Sequence, residues 1–244
     1  MDLETYWALK KHLAPRLRFN QVIYEETLQK HVSAGDTWLD AGCGRHVLPA
    51  WRQEAERDLV ARAGLAVGCD ADESSLRVHR SLARRVVANL EHLPFKGGSV
   101  DLITSNMVVE HLDQPGRAFA EFARVLRPGG RVILHTPNIY SHFVLGSRLL
   151  PHRLKRKLMQ SLDGRSEHEV FPTRYRANSR STLRALMRQA GLRQDWCRMV
   201  ANDAVFARTN RILAGLELLY IRLTLLPALR ALRVTILASF SKPH

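Results

Sequence analysis

The first 140 residues alternate short apolar runs, each bounded by Gly, Asp, Asn or Pro, with longer amphipathic stretches, and no other feature of the chain restricts its fold as strongly. Runs at Thr37 to Leu39, Ala66 to Cys69, Arg85 to Val87, Val100 to Thr104 and Arg131 to His135 read as buried strands. Residues 50 to 63, 73 to 83 and 115 to 126 read as helices, and Arg127-Pro128-Gly129-Gly130 as a turn that stops the third of them. Strand and helix in alternation imply an α/β, Rossmann-like doubly wound sheet, mostly parallel and covered on both faces. Two further strands, Arg193 to Val200 and Val234 to Phe240, bring the expected count to seven. At 45% hydrophobic and 25% charged residues the 244-residue chain can bury a core, which excludes a disordered solvating domain.

Four spans are expected: an N-terminal helical segment (1–34), the sheet core (35–140), a basic substrate-side insert with a helix (141–192), and a C-terminal part (193–244) completing the same domain. In the insert, Leu149, Leu150, Leu154 and Leu158 alternate with Arg153, Lys155, Arg156 and Lys157, predicting a short basic amphipathic helix. Ser179 or Ser181 should cap the helix that Gly191 ends. Residues 207–226 form a very apolar helix that Pro227 interrupts.

The net charge of +14 is unevenly placed: residues 1–140 carry +1, 141–193 carry +9 and 194–244 carry +4. Such a balance suits nucleic acid, an anionic membrane surface or an anionic acceptor. Aromatic residues are 7% of the chain, and the basic residues are interleaved with leucines, which favours a lipid surface over an RNA groove. Arg208, Arg211 and Arg222 fall within about 60° of one another on the helical wheel, giving an apolar helix with a basic stripe that can lie in a membrane interface or cover the sheet. There is no apolar run of spanning or signal-peptide length. Three cysteines without C-x-x-C spacing make neither a disulfide framework nor a four-thiolate zinc site, and the expected location is cytoplasmic, peripheral to membrane at most. Glu167-His168-Glu169 is the densest ligand cluster, but its residues are adjacent and lack helical His spacing, so no metal is expected.

Chemistry concentrates where the first strand ends, at Asp40-Ala41-Gly42-Cys43-Gly44-Arg45-His46. Glycines there let backbone approach a ligand closely. Asp70 closes the second strand, where a carboxylate can accept from both hydroxyls of a ribose. Asn89-Leu90-Glu91-His92-Leu93-Pro94-Phe95, then Val100 to Asn106 leading into Glu110-His111, then Leu126-Arg127-Pro128-Gly129-Gly130 follow in order. Together these segments resemble the class I S-adenosylmethionine-dependent methyltransferases, in particular the small-molecule subgroup with L-P-F and L-R-P-G-G signatures, over about residues 35–138.

The resemblance implies S-adenosylmethionine as cofactor. It implies Asp40, Gly42 and Gly44 around the methionine part, Asp70 on the ribose, Asn89 and Leu90 beside the adenine, and Asn106 where cofactor and acceptor meet. His46 stands where the family often has a third glycine and could crowd the cofactor tail. His111, just after the fourth strand, is the first candidate for a general base, because histidine titrates near neutrality; His135 is the second. Tyr175, Arg176, His142 and His168 are candidates for contacting the acceptor. The expected reaction is in-line methyl transfer to a small or lipid-like acceptor, at oxygen. RNA methylation and an inactive cofactor-binding regulator are the competing readings, and oligomeric state is left open.

Overall fold

The structure, a computed structural model, describes residues 3–149, 172–208 and 210–244. The chain forms two compact units, each assembled from three separate segments. The leucine-and-lysine stretch 150–158, Glu167 to Glu169 and the candidate His168 lie outside the described residues.

The larger unit comprises Ile23–Thr136, Thr173–Arg198 and Ile236–His244. It contains most of a seven-stranded sheet made of β1 (Thr37–Ala41), β2 (Leu65–Asp70), β3 (Arg84–Val87), β4 (Val100–Asn106), β5 (Leu126–Pro137), β6 (Arg193–Val200) and β7 (Thr235–Ser241). Their order is β3-β2-β1-β4-β5-β7-β6. β1 pairs in parallel with both β2 and β4, β2 with β3, and β4 with β5. β7 runs the other way: Gly129 at the start of β5 bonds Lys242 just beyond the end of β7, and Asn138 just past β5 bonds Val234 just before β7. The central strands bury apolar residues on both faces, as a covered sheet requires; Leu39, Ile103, Val132, Ile133 and Leu134 are buried.

Helix α5 (Pro115–Val125) shows how the flanking layer is encoded. Proline stands in its first turn, and Ala118, Phe119, Phe122 and Val125 recur on one side and are buried. Ser179 caps the helix Arg180–Gln189 by accepting from the Thr182 amide, and Gly191 ends it with φ +82°, as the sequence indicated.

Among the expected boundaries that differ, two have a visible cause. The segment 127–130 belongs to β5, which starts at Leu126 with an irregular register opposite Val100 and Leu102, because Gly129 and Gly130 pair with Lys242. The helix expected over 73–83 is α4 (Glu73–Val78) and stops early, where the Arg85 guanidinium takes the carbonyls of Leu76 and His79 and the His79 ring accepts from the Leu82 amide.

The second unit comprises Met1–Val22, Pro137–Pro172 and Met199–Thr235. Its helices are α1 (Leu3–Leu13), α6 (His142–Leu149) and, next after the helix 180–189 (hence α7), α8 (Arg211–Thr224). Tyr6, Ala14, Leu17, Ala201, Ala204, Leu218 and Ile221 form its core. The very apolar helix of the sequence is therefore packed on α1 and on the short 3-10 helix Val205–Arg208. Asn210 caps its start, accepting from the amides of Ile212 and Leu213. Arg233 closes its end, donating to the carbonyls of Thr224 and Leu225, where a cation suits both the orphan carbonyls and the helix dipole.

Candidate active site

In a doubly wound sheet the ligand crevice opens at the carboxyl ends of the strands where the order reverses, here between β1 and β4. Asp40, Gly42, Gly44, Asp70, Asn106 and His111 all follow from that rule. They sit at or just beyond the carboxyl ends of β1, β2 and β4.

The loop after β1 is held from beneath. The amides of Gly42 and Cys43 both donate to the Cys69 carbonyl, at 2.7 and 3.1 Å, and Gly42 takes φ +78° with Val108 packed directly against its Cα. Gly68 is needed for a different reason: a Cβ there would come within 2.7 Å of both the Cys43 sulfur and Leu82. Buried in this packing, the thiols of Cys43 and Cys69 are pushed well above their usual range and act as small apolar side chains.

Asp70 ties the loop to the second strand. One carboxylate oxygen accepts from the Gly44 amide at 2.8 Å and the other from the Asp72 amide at 2.9 Å. Each oxygen has a second lone pair with which to accept from a further donor. Asp40 is 4% exposed and accepts from the Thr104 hydroxyl at 2.5 Å, while Trp38 Nε1 donates to that hydroxyl at 2.8 Å. Burial pushes the Asp40 carboxyl up to about 7; the Thr104 hydrogen bond opposes this, and the charges of Glu56 and Asp70 add to it. Glu56, wholly buried on α3 (Gln53–Arg62), accepts from the Leu48 amide with one oxygen, and its other oxygen has no hydrogen-bond partner among the described residues.

Asp40, Glu56 and Asp70 thus concentrate carboxyl groups around one loop, and one buried acceptor is unspent among the described residues. A ligand carrying an ammonium, a sulfonium and a ribose fits that donor and acceptor set. A pyrophosphate would meet carboxylates.

Asn106 ends β4, and its Oδ1 accepts from His135 Nδ1 at 2.8 Å. His135 is completely buried, stacked on Tyr24 at 5.4 Å between ring centroids, and burial lowers its pKa to about 3. The imidazole is therefore neutral and oriented. Tyr24 comes from α2 (Asn20–His31) and is wholly buried; its hydroxyl has no hydrogen-bond partner among the described residues, and burial, with the Asp40 charge, raises its pKa well above the usual range. Next along the chain Met107 takes φ +57°, a conformation costly for a side chain with a Cβ, and the chain leaves β4 sharply into the 3-10 turn Val109–His111.

His111 has a side chain 30% exposed, with Nε2 4.0 Å from Glu110 Oε1. Glu110 is buried, which raises its pKa to about 7, and it accepts from the Thr136 hydroxyl at 3.0 Å; Asn178 donates to the same hydroxyl. The Glu110 carbonyl also accepts the amides of Arg174 and Tyr175. Residues Thr173 to Asn178 are consequently strapped to the end of β4. Within the strap Tyr175 has φ +53°, and the Arg176 guanidinium donates to the Asp113 carbonyl at 2.5 Å.

Asn89 is exposed and accepts from the Glu91 amide in a turn beyond β3, beside buried Leu90. His46 lies with its ring 6.3 Å from that of His79. His142 belongs to the other unit, where its Nε2 bonds the Glu217 carboxylate at 2.9 Å.

Four participants escaped the sequence reading: Trp38, Thr104, Glu56 and Tyr24. Trp38 and Thr104 lay inside apolar strand runs and showed no sign of polar bonding. Glu56 sits among the charges of an amphipathic helix, and Tyr24 reaches the sheet from a remote helix, so neither has a local signal.

The methyltransferase domain family matches residues 39–134. A probable S-adenosylmethionine-dependent methyltransferase of Mycobacterium tuberculosis is 35% identical over 142 residues, covering 57% of this chain and 45% of the relative. Malonyl-[acyl-carrier protein] O-methyltransferase of Hahella chejuensis is 37% identical over 105 residues, 40% of this chain and 35% of the relative. The chain thus spans less than half the length of these curated relatives. Among solved structures, geranyl diphosphate C-methyltransferase of Streptomyces coelicolor shares the fold with a TM-score of 0.58 at 17% identity, over 91% of this chain and 80% of that one.

Fold and site therefore define a protein built on a class I S-adenosylmethionine-dependent methyltransferase domain. Residues 39–134 thus match the methyltransferase domain family, and the cofactor is S-adenosylmethionine.

Proposed function

We propose that this chain transfers the S-adenosylmethionine methyl group to an oxygen of a small or lipid-like acceptor, working in the cytoplasm. The observation that carries the oxygen assignment is the contrast between two histidines. His111 is partly exposed beyond the end of β4 beside a buried carboxyl, whereas His135 is sealed and held neutral. A hydroxyl or carboxyl acceptor benefits from a general base, a role imidazole commonly fills, and His111 is the partly exposed imidazole beside the end of β4.

In this reading the cofactor supplies an activated methyl, and the protein supplies alignment and exclusion of water, together worth about 7–11 kcal/mol. Asp40, Gly42 and Gly44 hold its methionine end, Asp70 its ribose, and Asn89 with Leu90 its adenine. Asn106, oriented by His135, lies where methyl and acceptor meet. Tyr175 and Arg176, on the strap anchored by Glu110, border the acceptor. The O-methyltransferase among the relatives supports this choice of acceptor atom.

His111→Ala is expected to keep its affinity for S-adenosylhomocysteine while turnover falls by about 10²–10⁴-fold on an acceptor panel of carboxylates, phenols and lipid alcohols. Calorimetry and a methyl-transfer assay check the two halves. Undiminished turnover in His111→Ala would remove the general base.

The acid cluster also makes pH dependence specific. Because the folded-state pKa of Asp40 lies above its unfolded value, the folded protein holds more protons between about pH 4 and 7. Without ligand, Asp40 therefore costs stability progressively as pH rises through that window, and Glu110 acts in the same direction. A cation bound beside Asp40 favours its ionised form. Affinity for S-adenosylmethionine should then rise between pH 6 and 8, with a proton released on binding below pH 7. Calorimetry in buffers of different ionisation enthalpy measures that proton, and Asp40→Asn should abolish its release.

A further inference from the structure

Helix α8 is apolar on two opposite sides, and only one of them is packed. Ala214, Leu218, Ile221 and Thr224 enter the unit's interior. On the other side Ile212 is 74% exposed, Leu216 60%, Leu219 47% and Leu223 47%. These four recur at i, i+4, i+7 and i+11, so at about 100° per residue they form one stripe within about 60°. Leu226 and Leu229 continue the exposed apolar surface into the 3-10 helix Pro227–Leu232. Between α1 and α8 runs an open groove of about 490 Å³ whose lining includes Leu9, Leu13, Arg211, Ile212, Leu216 and Leu219. The outer face of a packed helix in water is ordinarily polar; this one is not.

Among the described residues of α8 and the 3-10 helix after it, the exposed charges beside the stripe have one sign. Arg211 and Arg222 are exposed and lie about 80–100° around the helix from it, both on the same flank, and Arg230 is exposed next to Leu229. The only acid in residues 205–235 is Glu217. It is 6% exposed and consumed internally, accepting from His142 and from the Phe206 amide. No helix among the described residues is long and apolar enough to cross a membrane. A second copy docking by this face would set arginine stripes near one another with no exposed acid on α8 to neutralise them.

We infer that this face of α8 is the surface by which the protein lies on an anionic phospholipid membrane. The helix rests parallel to the bilayer plane, with Ile212, Leu216, Leu219 and Leu223 at the boundary of headgroups and acyl chains and Arg211 and Arg222 at the level of the phosphates. The inference goes beyond the methyl-transfer reading and does not depend on it.

Flotation of the full chain with phosphatidylglycerol/phosphatidylcholine vesicles, against pure phosphatidylcholine, tests this. Binding should require the anionic lipid and weaken with salt. Arg211→Gln with Arg222→Gln should weaken it about 25-fold, roughly fivefold for each arginine. Leu216→Glu with Leu219→Glu should abolish it, and Leu216→Gln with Leu219→Gln should reduce it at least tenfold. Because these side chains point outward, every variant should keep the parental melting temperature and S-adenosylhomocysteine affinity. Absence of binding to anionic vesicles at low salt overturns the proposal, as does binding indifferent to the leucine changes in the variants that keep the parental melting temperature. A dimer in sedimentation velocity that Leu219→Glu dissociates would assign the face to a second copy and also overturn it. Wild-type protein that binds S-adenosylhomocysteine but not vesicles rejects the membrane surface alone, and the reverse result rejects the cofactor site alone.

Discussion

Replacing Gly42 by alanine is expected to abolish measurable cofactor binding and to destabilise the protein by about 2–4 kcal/mol. Two independent penalties meet at this position. The φ of +78° disfavours any side chain, and the added Cβ would stand 2.4 Å from one Val108 methyl and 2.8 Å from the other. Val108 cannot yield easily, because it follows the strained Met107 and precedes the turn that carries Glu110 and His111. Relief would displace the loop, and with it the Gly42 and Cys43 amides from the Cys69 carbonyl and Gly44 from Asp70.

Gly44 supplies the internal comparison. It also has positive φ, at +50°, but a Cβ there meets nothing within 4 Å. Gly44→Ala should therefore cost only the conformational term, about 1–2 kcal/mol. Adding Val108→Ala to Gly42→Ala should recover part of the lost stability by removing the clash while leaving the strain. Denaturant unfolding and calorimetry with S-adenosylhomocysteine measure each variant. Equal losses in Gly42→Ala and Gly44→Ala would show that Val108 does not press on the loop.

Asp70→Ala carries the second large effect. Its carboxylate is the sole link from the second strand to the Gly44 amide and also holds the Asp72 amide. Hydrogen bonds to a charged group contribute about 1.5–3 kcal/mol each. In the cofactor complex the ribose hydroxyls would add two more, so S-adenosylhomocysteine should bind about 10²–10⁴-fold more weakly to Asp70→Ala. Asp70→Asn separates the contributions. Its carbonyl can accept one amide, but its NH₂ confronts the other, so it should recover little affinity despite its matched shape. Asp70→Asn at wild-type affinity would mean that the carboxylate accepts nothing from the cofactor.

These two residues show what a local pattern can specify. Gly42, Gly44 and Asp70 were legible because glycine at a strand-to-helix turn and an acid closing the next strand reflect backbone geometry common to the whole doubly wound class. Likewise the strand runs registered because burial on both faces demands uninterrupted apolar residues. Helix ends were clearest where a single residue sets them, the Ser179 side chain at one end and the positive φ of Gly191 at the other. They were missed where a distant group intervenes, as at Val78, where Arg85 captures the carbonyls that a longer helix would have used.

The sequence by itself determined the order of strands and helices, the place of the glycine loop after the first strand, and the concentration of basic charge after residue 140. Each depends on residues near in the chain, through periodicity, turn chemistry or simple counting. Tertiary structure alone decided the rest. It buried Glu56 and Tyr24 beside Asp40, sealed His135 against Tyr24 and bonded it to Asn106, and tied the Thr173 to Asn178 strap to Glu110. It also divided the apolar residues of α8 between a packed side and a bare one. Burial and partnership depend on what approaches from elsewhere in the chain, and a one-dimensional pattern contains no measure of that approach.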